Sequence, residues 1–415
     1  MLLALGVVPG LPKFSFLMLG VGVLGLAEYL RRRPQPAPPQ EAPAAALPGP
    51  AEESFLPGVE RLSLDVGYGL LGLLDDQAGP GLVSRITALR RQLGRELGLA
   101  VPALRVRDDV SLPPNEYVIR LRGTERARGQ VRPGRLMAIP NQPEAPPLPG
   151  EETREPVFGL AAWWIQPEQK LQAETRGYTV VEPAAVIVTH LGETLRRQAA
   201  EILSRQDVAD LIEQVRQSEP AVITELIPEL ATTGQVHQVL RSLLEEGVSI
   251  RDLPAILEAL SDGLRLSGQL QSAIEYVRLT RAEAICERLC DEQRVLHVIA
   301  AGPALERLVD ECLVQTPDGT VCALPPDVAA RLVTELGELV KQNAAHGRET
   351  VLLTSPRTRP HLRSAVVRAF PQVRVLSYAE LAPQFTVEVM AQLAVAENSP
   401  ATAASSVPAS GRESG

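Results

Sequence analysis

Apolar residues are distributed very differently along the chain. Residues 1–33 (MLLALGVVPGLPKFSFLMLGVGVLGLAEYLRRR) hold two apolar runs broken by Pro9-Gly10-Leu11-Pro12 and Lys13. The second run, Phe14 to Leu30, is just long enough to span a hydrocarbon core. Arg31, Arg32 and Arg33 follow at once, and a basic cluster flanking a span marks its cytoplasmic side. A secretory leader would carry its charge before the apolar run and a small-residue cleavage site after it, which is the reverse order. The pattern therefore predicts a transmembrane helix over 14–30 with residues 34–415 in the cytoplasm. Met1 to Val8 is too short to cross and reads as the tail of a preceding span, so the chain is expected to be the C-terminal part of a larger membrane protein.

Residues 34–54 are rich in Pro, Ala and Glu and cannot bury a core, which predicts a flexible tether. From Leu62 to about Leu191 periods of two and 3.6 alternate. Arg61–Leu74 and Tyr117–Leu121 read as strands, Leu82–Leu97 carries apolar residues at helical spacing, and Tyr178–Val181 and Val186–Val188 are β-branched runs. A proline-rich loop, Ile139–Pro149, suggests an inserted subdomain. Leu191 to about Leu260 is helical, with one stripe over Val236, Val239, Leu240, Leu243 and Leu244 and another over Leu253, Ile256, Leu257 and Leu260. Gly247 suits the left-handed end of the first helix and Asp252 the cap of the next, because Pro254 is tolerated only in a first turn.

The last section alternates. It predicts a strand at Val295–Ile299, a helix from Pro303, a helix from Pro325 to about His346, a strand at Val351–Thr354, a helix from Pro356 and a strand at Val373–Leu376, the pattern of a small α/β unit. Residues 396–415 lack periodicity and are expected to be disordered. The predicted fold class is a multidomain α+β region following an N-terminal transmembrane helix. Its parts are a first α+β subdomain over 55–190 with an insertion over about 124–177, a helical subdomain over 191–262 and a C-terminal α/β subdomain over 263–395.

Composition narrows the partners. The 41 Lys+Arg against 50 Asp+Glu give a net charge of −9, and only 3% of residues are aromatic, so no chain-wide basic footprint for nucleic acid exists. Four cysteines, without CxxC pairs, suit a reducing compartment. Histidines 190, 237, 297, 346 and 361 are isolated, and Cys286 and Cys290, one helical turn apart, read as thiols rather than ligands, so no metal and no cofactor is expected. No GxxxxGK[ST], GxGxxG or GxSxG pattern is present, and an enzyme is not expected. The helix start at Ser355-Pro356-Arg357-Thr358-Arg359 could hold an anion, which leaves an α/β enzyme as a competing class.

The segments LSLDVGYGLLGLLDD (62–76), VPALRVRDDVSLPPNEYVIRLRG (101–123), EPVFGLAAWWI (155–165), GYTVVEPAAVIVTHL (177–191), LLEEGVSIRDLPAILEAL (243–260) and VLSYAEL (375–381) stand in the order and spacing of a known family. The chain resembles the export gates of bacterial flagellar and injectisome type III secretion systems, and VGY, VFGL and VIVTHL look like the flagellar branch. The resemblance implies a protein of the bacterial inner membrane, its missing spans preceding residue 1, with a four-subdomain cytoplasmic part that forms a homo-oligomeric ring of nine. That ring would receive export chaperone–substrate complexes and work with other export-apparatus membrane proteins and the associated ATPase complex, a binding role and not an enzymatic one. A membrane-tethered scaffold of an injectisome is the alternative.

In the family the chaperone–substrate complexes dock in a cleft between the first two cytoplasmic subdomains. Matched through these segments, its positions fall on Gly67, Glu155, Phe158 and Thr189, Glu155 standing where the family usually has Asp. An apolar ring on a loop beside a carboxylate is a fitting anchor for a docked helix or peptide. The alternative is that Phe158 packs under the proline-rich loop. Thr189, in a strand-like run, is expected to be part-buried. Phe55 and Leu56, apolar residues ending the tether, are expected to contact the neighbouring subunit, since a closed ring needs a heterologous interface.

Overall fold

The computed structural model describes residues 60–74, 81–142, 148–316, 319–345 and 347–394. The predicted span, the tether, Phe55 and Leu56, His346 and the tail lie outside the described residues. The chain divides into Met1–Val59 and Glu60–Gly415, and every described residue belongs to the second unit. Among the described residues no helix is long and apolar enough to cross a membrane.

The first sheet is built on β1 (Leu62–Val66), whose five residues are all buried. Leu62, Leu64 and Val66 alternate toward the core, and on the other face the buried Asp65 accepts from Arg107 at 3.2 Å and Arg120 at 2.6 Å, so its charge is paired. The predicted strand to Leu74 ends early: Tyr68–Leu73 turn into a short 3-10 helix. Helix α1 (Leu82–Leu97) buries Leu82, Ile86, Leu89, Leu93 and Leu97, the predicted stripe, and ends on Gly98 at φ +80°. The strands β2 (Arg105–Asp108), β3 (Glu116–Leu121) and β4 (Thr124–Gln130) complete a mixed sheet in the order β2-β1-β3-β4.

A second, antiparallel sheet, β6-β7-β5-β8, comes from β5 (Leu136–Pro140), β6 (Glu151–Arg154), β7 (Ala161–Ile165) and β8 (Tyr178–Val181), with α2 (Lys170–Thr175) leading into β8. Trp163 and Tyr178 meet edge-on at 5.8 Å over its small core. Because β4 pairs with β3, the insertion begins at Leu136 and not near residue 124. Helix α3 (Pro183–Arg197) then returns the chain to α1, where Gly192 faces the Leu89 side chain and leaves it room. Val186–Val188, expected as a β-branched strand, therefore lies inside α3. Its buried set, Val186, Ile187, His190, Leu191, Thr194 and Leu195, follows the helical period, and packing overrides the local preference.

The helical layer comprises α4 (Ala199–Ile202), α5 (Arg205–Ser218), α6 (Pro220–Leu226), α7 (Thr233–Glu245), α8 (Leu253–Ser267), α9 (Leu270–Thr280) and α10 (Ala282–Leu289), so it starts later than residue 191 and runs well past 262. A Ser204/Asp207 capping box opens α5, and Arg61 donates to the same Asp207 at 2.6 Å, tying the layer to the first sheet. Both predicted stripes are buried on α7 and α8, and Gly247 turns between them at φ +71°. Asp252 does stand at the start of α8, but its carboxylate accepts from Arg281 at 2.6 Å and makes no cap.

The C-terminal subdomain alternates as expected: β9 (Val295–Ala301), α11 (Pro303–Glu311), a hairpin of β10 (Leu313–Thr316) and β11 (Gly319–Cys322), α12 (Pro326–Ala345), β12 (Val351–Thr354), α13 (Arg359–Val366), β13 (Arg374–Ser377) and β14 (Thr386–Leu393). Its four long-range strands form a parallel sheet, β13-β12-β9-β14. β14 and the hairpin are additional to the elements that the sequence pattern predicts.

A buried charge network fastens this subdomain to the helical layer. Arg359, 1% exposed, donates to Glu275 and to Glu246 at 2.7 Å, and Arg278 forms ion pairs with Glu246 at 3.1 Å and Glu380 at 2.7 Å. Burial pushes the Glu246 carboxyl up, but the adjacent Arg278 and Arg359 outweigh it and hold the group below its ordinary range.

Candidate functional site

The six residues Glu155 to Leu160 close the hairpin from β6 to β7, where Arg154 pairs with Ala161. The turn is held by its first residue. Glu155 N–H donates to Leu160 O at 2.8 Å and Gly159 N–H to Glu155 O at 3.0 Å, while Gly159 takes φ +69°, a conformation that favours glycine. The carboxylate of Glu155 folds back under the turn and accepts from Val157 N–H at 2.9 Å and Phe158 N–H at 2.7 Å. Both its oxygens are thus used, and the residue is 7% exposed. The Phe158 ring above it is 71% exposed and Leu160 is 44% exposed.

In this fold the Glu155 carboxylate is buried and bonded to the turn, so it braces the backbone that carries Phe158. The outcome for Phe158 is the reverse of packing under the proline-rich loop, because its ring faces solvent.

Gly67 is buried and follows the end of β1, where Val66 pairs with Tyr117 and Gly67 N–H donates to Glu116 O at 2.8 Å. A Cβ there would run into Pro113 O and stand 2.8 Å from Pro114 O, so the position admits no side chain. Its contribution is close packing, and the exposed residues are its neighbours Tyr68 (63%) and Leu71. Thr189 lies in α3, not in a strand, and is exposed rather than part-buried.

What joins these positions is Tyr117, which sequence reasoning passed over as an ordinary strand residue. Its side chain is fully buried, the hydroxyl lies 2.8 Å from Nδ1 of His190, and the two rings meet edge-on at 5.8 Å. Gly129 across the sheet leaves space for the ring, since a Cβ would strike the hydroxyl. Burial first, and then the negative charge of Glu155, push the Tyr117 hydroxyl well above its usual range. Burial, and then Arg197, push His190 down. Both groups are therefore neutral at pH 7 and partner each other. Tyr117 is adjacent to the strand end that Gly67 closes, lies within electrostatic reach of Glu155, and bonds the helical neighbour of Thr189. In sequence the pair leaves one signal, a histidine next to a threonine in a β-branched run that the fold makes helical.

Among the described residues no group of three His, Cys, Asp or Glu side chains is placed to hold a metal ion. The helix start at Ser355 is already occupied: Ser355 N–H donates to Glu306 at 2.7 Å, and Arg359 is committed to Glu246 and Glu275.

Fold and site together define a multi-subdomain, mixed α/β region that displays an aromatic side chain on a braced turn of its inserted sheet. The chain belongs to the FHIPEP family, whose model matches residues 1–386. It is 35% identical over 342 residues to the flagellar biosynthesis protein FlhA of Bacillus subtilis, covering 82% of this chain and 50% of that one. It is 36% identical over 381 residues to FlhA of Escherichia coli K12, covering 91% of this chain and 54% of that one. The chain thus spans about half the length of these relatives. Among solved structures, the Chlamydia pneumoniae CdsV protein superposes with a TM-score of 0.74 at 24% identity, covering 82% of this chain and all of that one. Nonameric EPEC SctV-C does so with a TM-score of 0.66 at 20% identity, covering 81% of this chain and 99% of that one. CdsV is also known in a complex with CdsO.

Proposed function

We propose that the chain is the C-terminal part of a flagellar type III export gate, whose described region docks export chaperone–substrate complexes on the surface that carries Phe158. The observation that carries this reading is a phenylalanine ring 71% exposed on a turn whose carboxylate brace is buried beneath it. Burying such a ring in a partner is the kind of contact that dominates docking energies. A flagellar system is favoured over an injectisome scaffold by identities of 35–36% to FlhA proteins against 20–24% to CdsV and SctV-C.

The same reading places residues 14–30 in the bacterial inner membrane and residues 34–415 in the cytoplasm, with the ATPase complex and other export-apparatus membrane proteins as neighbours. The nonameric state of SctV-C supports a homo-oligomeric ring, with Phe55 and Leu56 contacting the adjacent subunit. Action by binding and not by catalysis is supported by the engagement of Ser355 and Arg359 within the fold.

The test is the affinity of the chain for flagellar chaperone–cargo complexes, with thermal melting recorded in parallel. Phe158→Ala should weaken binding about 30-fold, equivalent to about 2 kcal/mol, and leave the melting temperature almost unchanged. Normal binding by a folded Phe158→Ala protein would remove Phe158 from the docking surface.

A further inference from the structure

A cavity of about 610 Å³ opens between the turn joining α7 to α8, the C-terminal end of α1, helix α10 and strand β13. Its charged lining is unbalanced. Six arginines face it against three carboxylates, and each carboxylate is already taken. Glu96 accepts from Arg196 through both oxygens, at 2.9 and 3.1 Å; Glu246 holds Arg278 and Arg359; Asp252 holds Arg281. Among the described residues Arg95, Arg251 and Arg288 have no carboxylate within ion-pair distance, and Arg374 has only the exposed Glu349 at the limit, 4.0 Å.

Two of these converge. Arg288 donates to the carbonyl oxygen of Gly247, and the Arg374 guanidinium lies against the same glycine, 2.9 Å from where its Cβ would be. The nearest carboxylate to Arg374 is the exposed Glu349 at 4.0 Å, and the buried Nε of Arg374 has no acceptor. Burial, and then the charge of Arg288, act against the cationic form of Arg374. A half-buried guanidinium with an unused N–H beside a second guanidinium is costly unless an anion completes it.

We propose that this cavity binds a small molecule carrying a multivalent oxyanion, a phosphoryl or carboxylate group, with Arg288 and Arg374 as its principal ligands. Paired guanidinium forks match the oxygens of such a group. The volume is several times that of the oxyanion alone and is typical of a metabolite pocket. Val248, Ile285, Leu289 and Leu376 supply apolar wall for the rest of the ligand.

The test is the melting temperature of the full chain with inorganic phosphate, pyrophosphate or citrate, against sodium chloride of matched ionic strength. A ligand that binds only the folded state raises the midpoint, here by about 2 °C or more near saturation. Arg288→Gln, an exposed position whose loss should not disturb folding, is expected to remove most of the rise. Arg374→Gln should also remove it and, by relieving the charge pair, melt no lower than the unaltered chain without ligand. Arg216→Gln, far from the cavity lining, should keep the rise. A response to phosphate and pyrophosphate alone assigns a phosphoryl ligand, and a response to citrate alone assigns a polycarboxylate. No rise beyond the chloride control in the unaltered chain, or an equal rise in Arg288→Gln, overturns the proposal.

Discussion

The brace under Phe158 makes a prediction that separates direct from indirect effects on docking. Glu155→Ala removes the acceptor of two N–H groups, those of Val157 and Phe158, at 2.9 and 2.7 Å. Hydrogen bonds to a carboxylate contribute roughly 1.5–3 kcal/mol each when buried, but both amides sit on a solvent-facing turn where water can replace the lost acceptor. The net cost to the fold should therefore be about 1–2 kcal/mol, seen as a modest fall in melting temperature. Docking should suffer more than stability, because the turn no longer holds the ring, and a loss of about 10-fold or greater is expected. Glu155→Gln, whose amide keeps one acceptor oxygen, should fall between. The decisive measurement is a double-mutant cycle by titration calorimetry. If Glu155 acts only by positioning Phe158, the double variant binds no worse than Phe158→Ala alone. Fully additive losses would show instead that the carboxylate meets the partner itself, and unchanged docking in Glu155→Ala would show that it does not set the turn.

Three further outcomes follow from named contacts. Gly67→Ala should destabilise the first sheet by about 1–3 kcal/mol, since its methyl group must displace the Pro113–Pro114 backbone; an unaltered denaturant midpoint would contradict the packing described. Arg359→Ala strips Glu246 and Glu275 of a shared guanidinium and should cost about 3–5 kcal/mol in urea unfolding, with the C-terminal subdomain the first to open. His190 is held below its unfolded pKa of about 6.5 by burial and Arg197, so its contribution is complete above that value and is lost as pH falls through the depressed folded value. Melting curves from pH 7.5 downward should show this loss, and His190→Gln should flatten it; stability that rises on acidification would refute the buried neutral pair.

Local repetition was readable without the fold. Leu82 to Leu97 and the two apolar stripes around Gly247 declare themselves because each satisfies a helical period, and burial follows that period where an element packs on one face; Val351–Thr354 declares itself as a short continuous run, buried on both faces. The family segments pointed to Gly67, Glu155, Phe158 and Thr189 as candidate positions, while their burial and partners came only from the fold. What the chain alone could not decide was where distant residues meet. Val186–Val188 has strand-forming residues, yet packing of α3 on α1 makes it a turn of helix, and that change takes Thr189 to the surface and His190 inward to Tyr117, 73 positions away. Glu155 and Arg359 look like surface charges in sequence, and only closure of a hairpin in one case and contact between subdomains in the other buries them against partners that neutralise or satisfy them. Hydrophobic period is a property of neighbours along the chain; the desolvation that fixes a polar group's role belongs to neighbours in space.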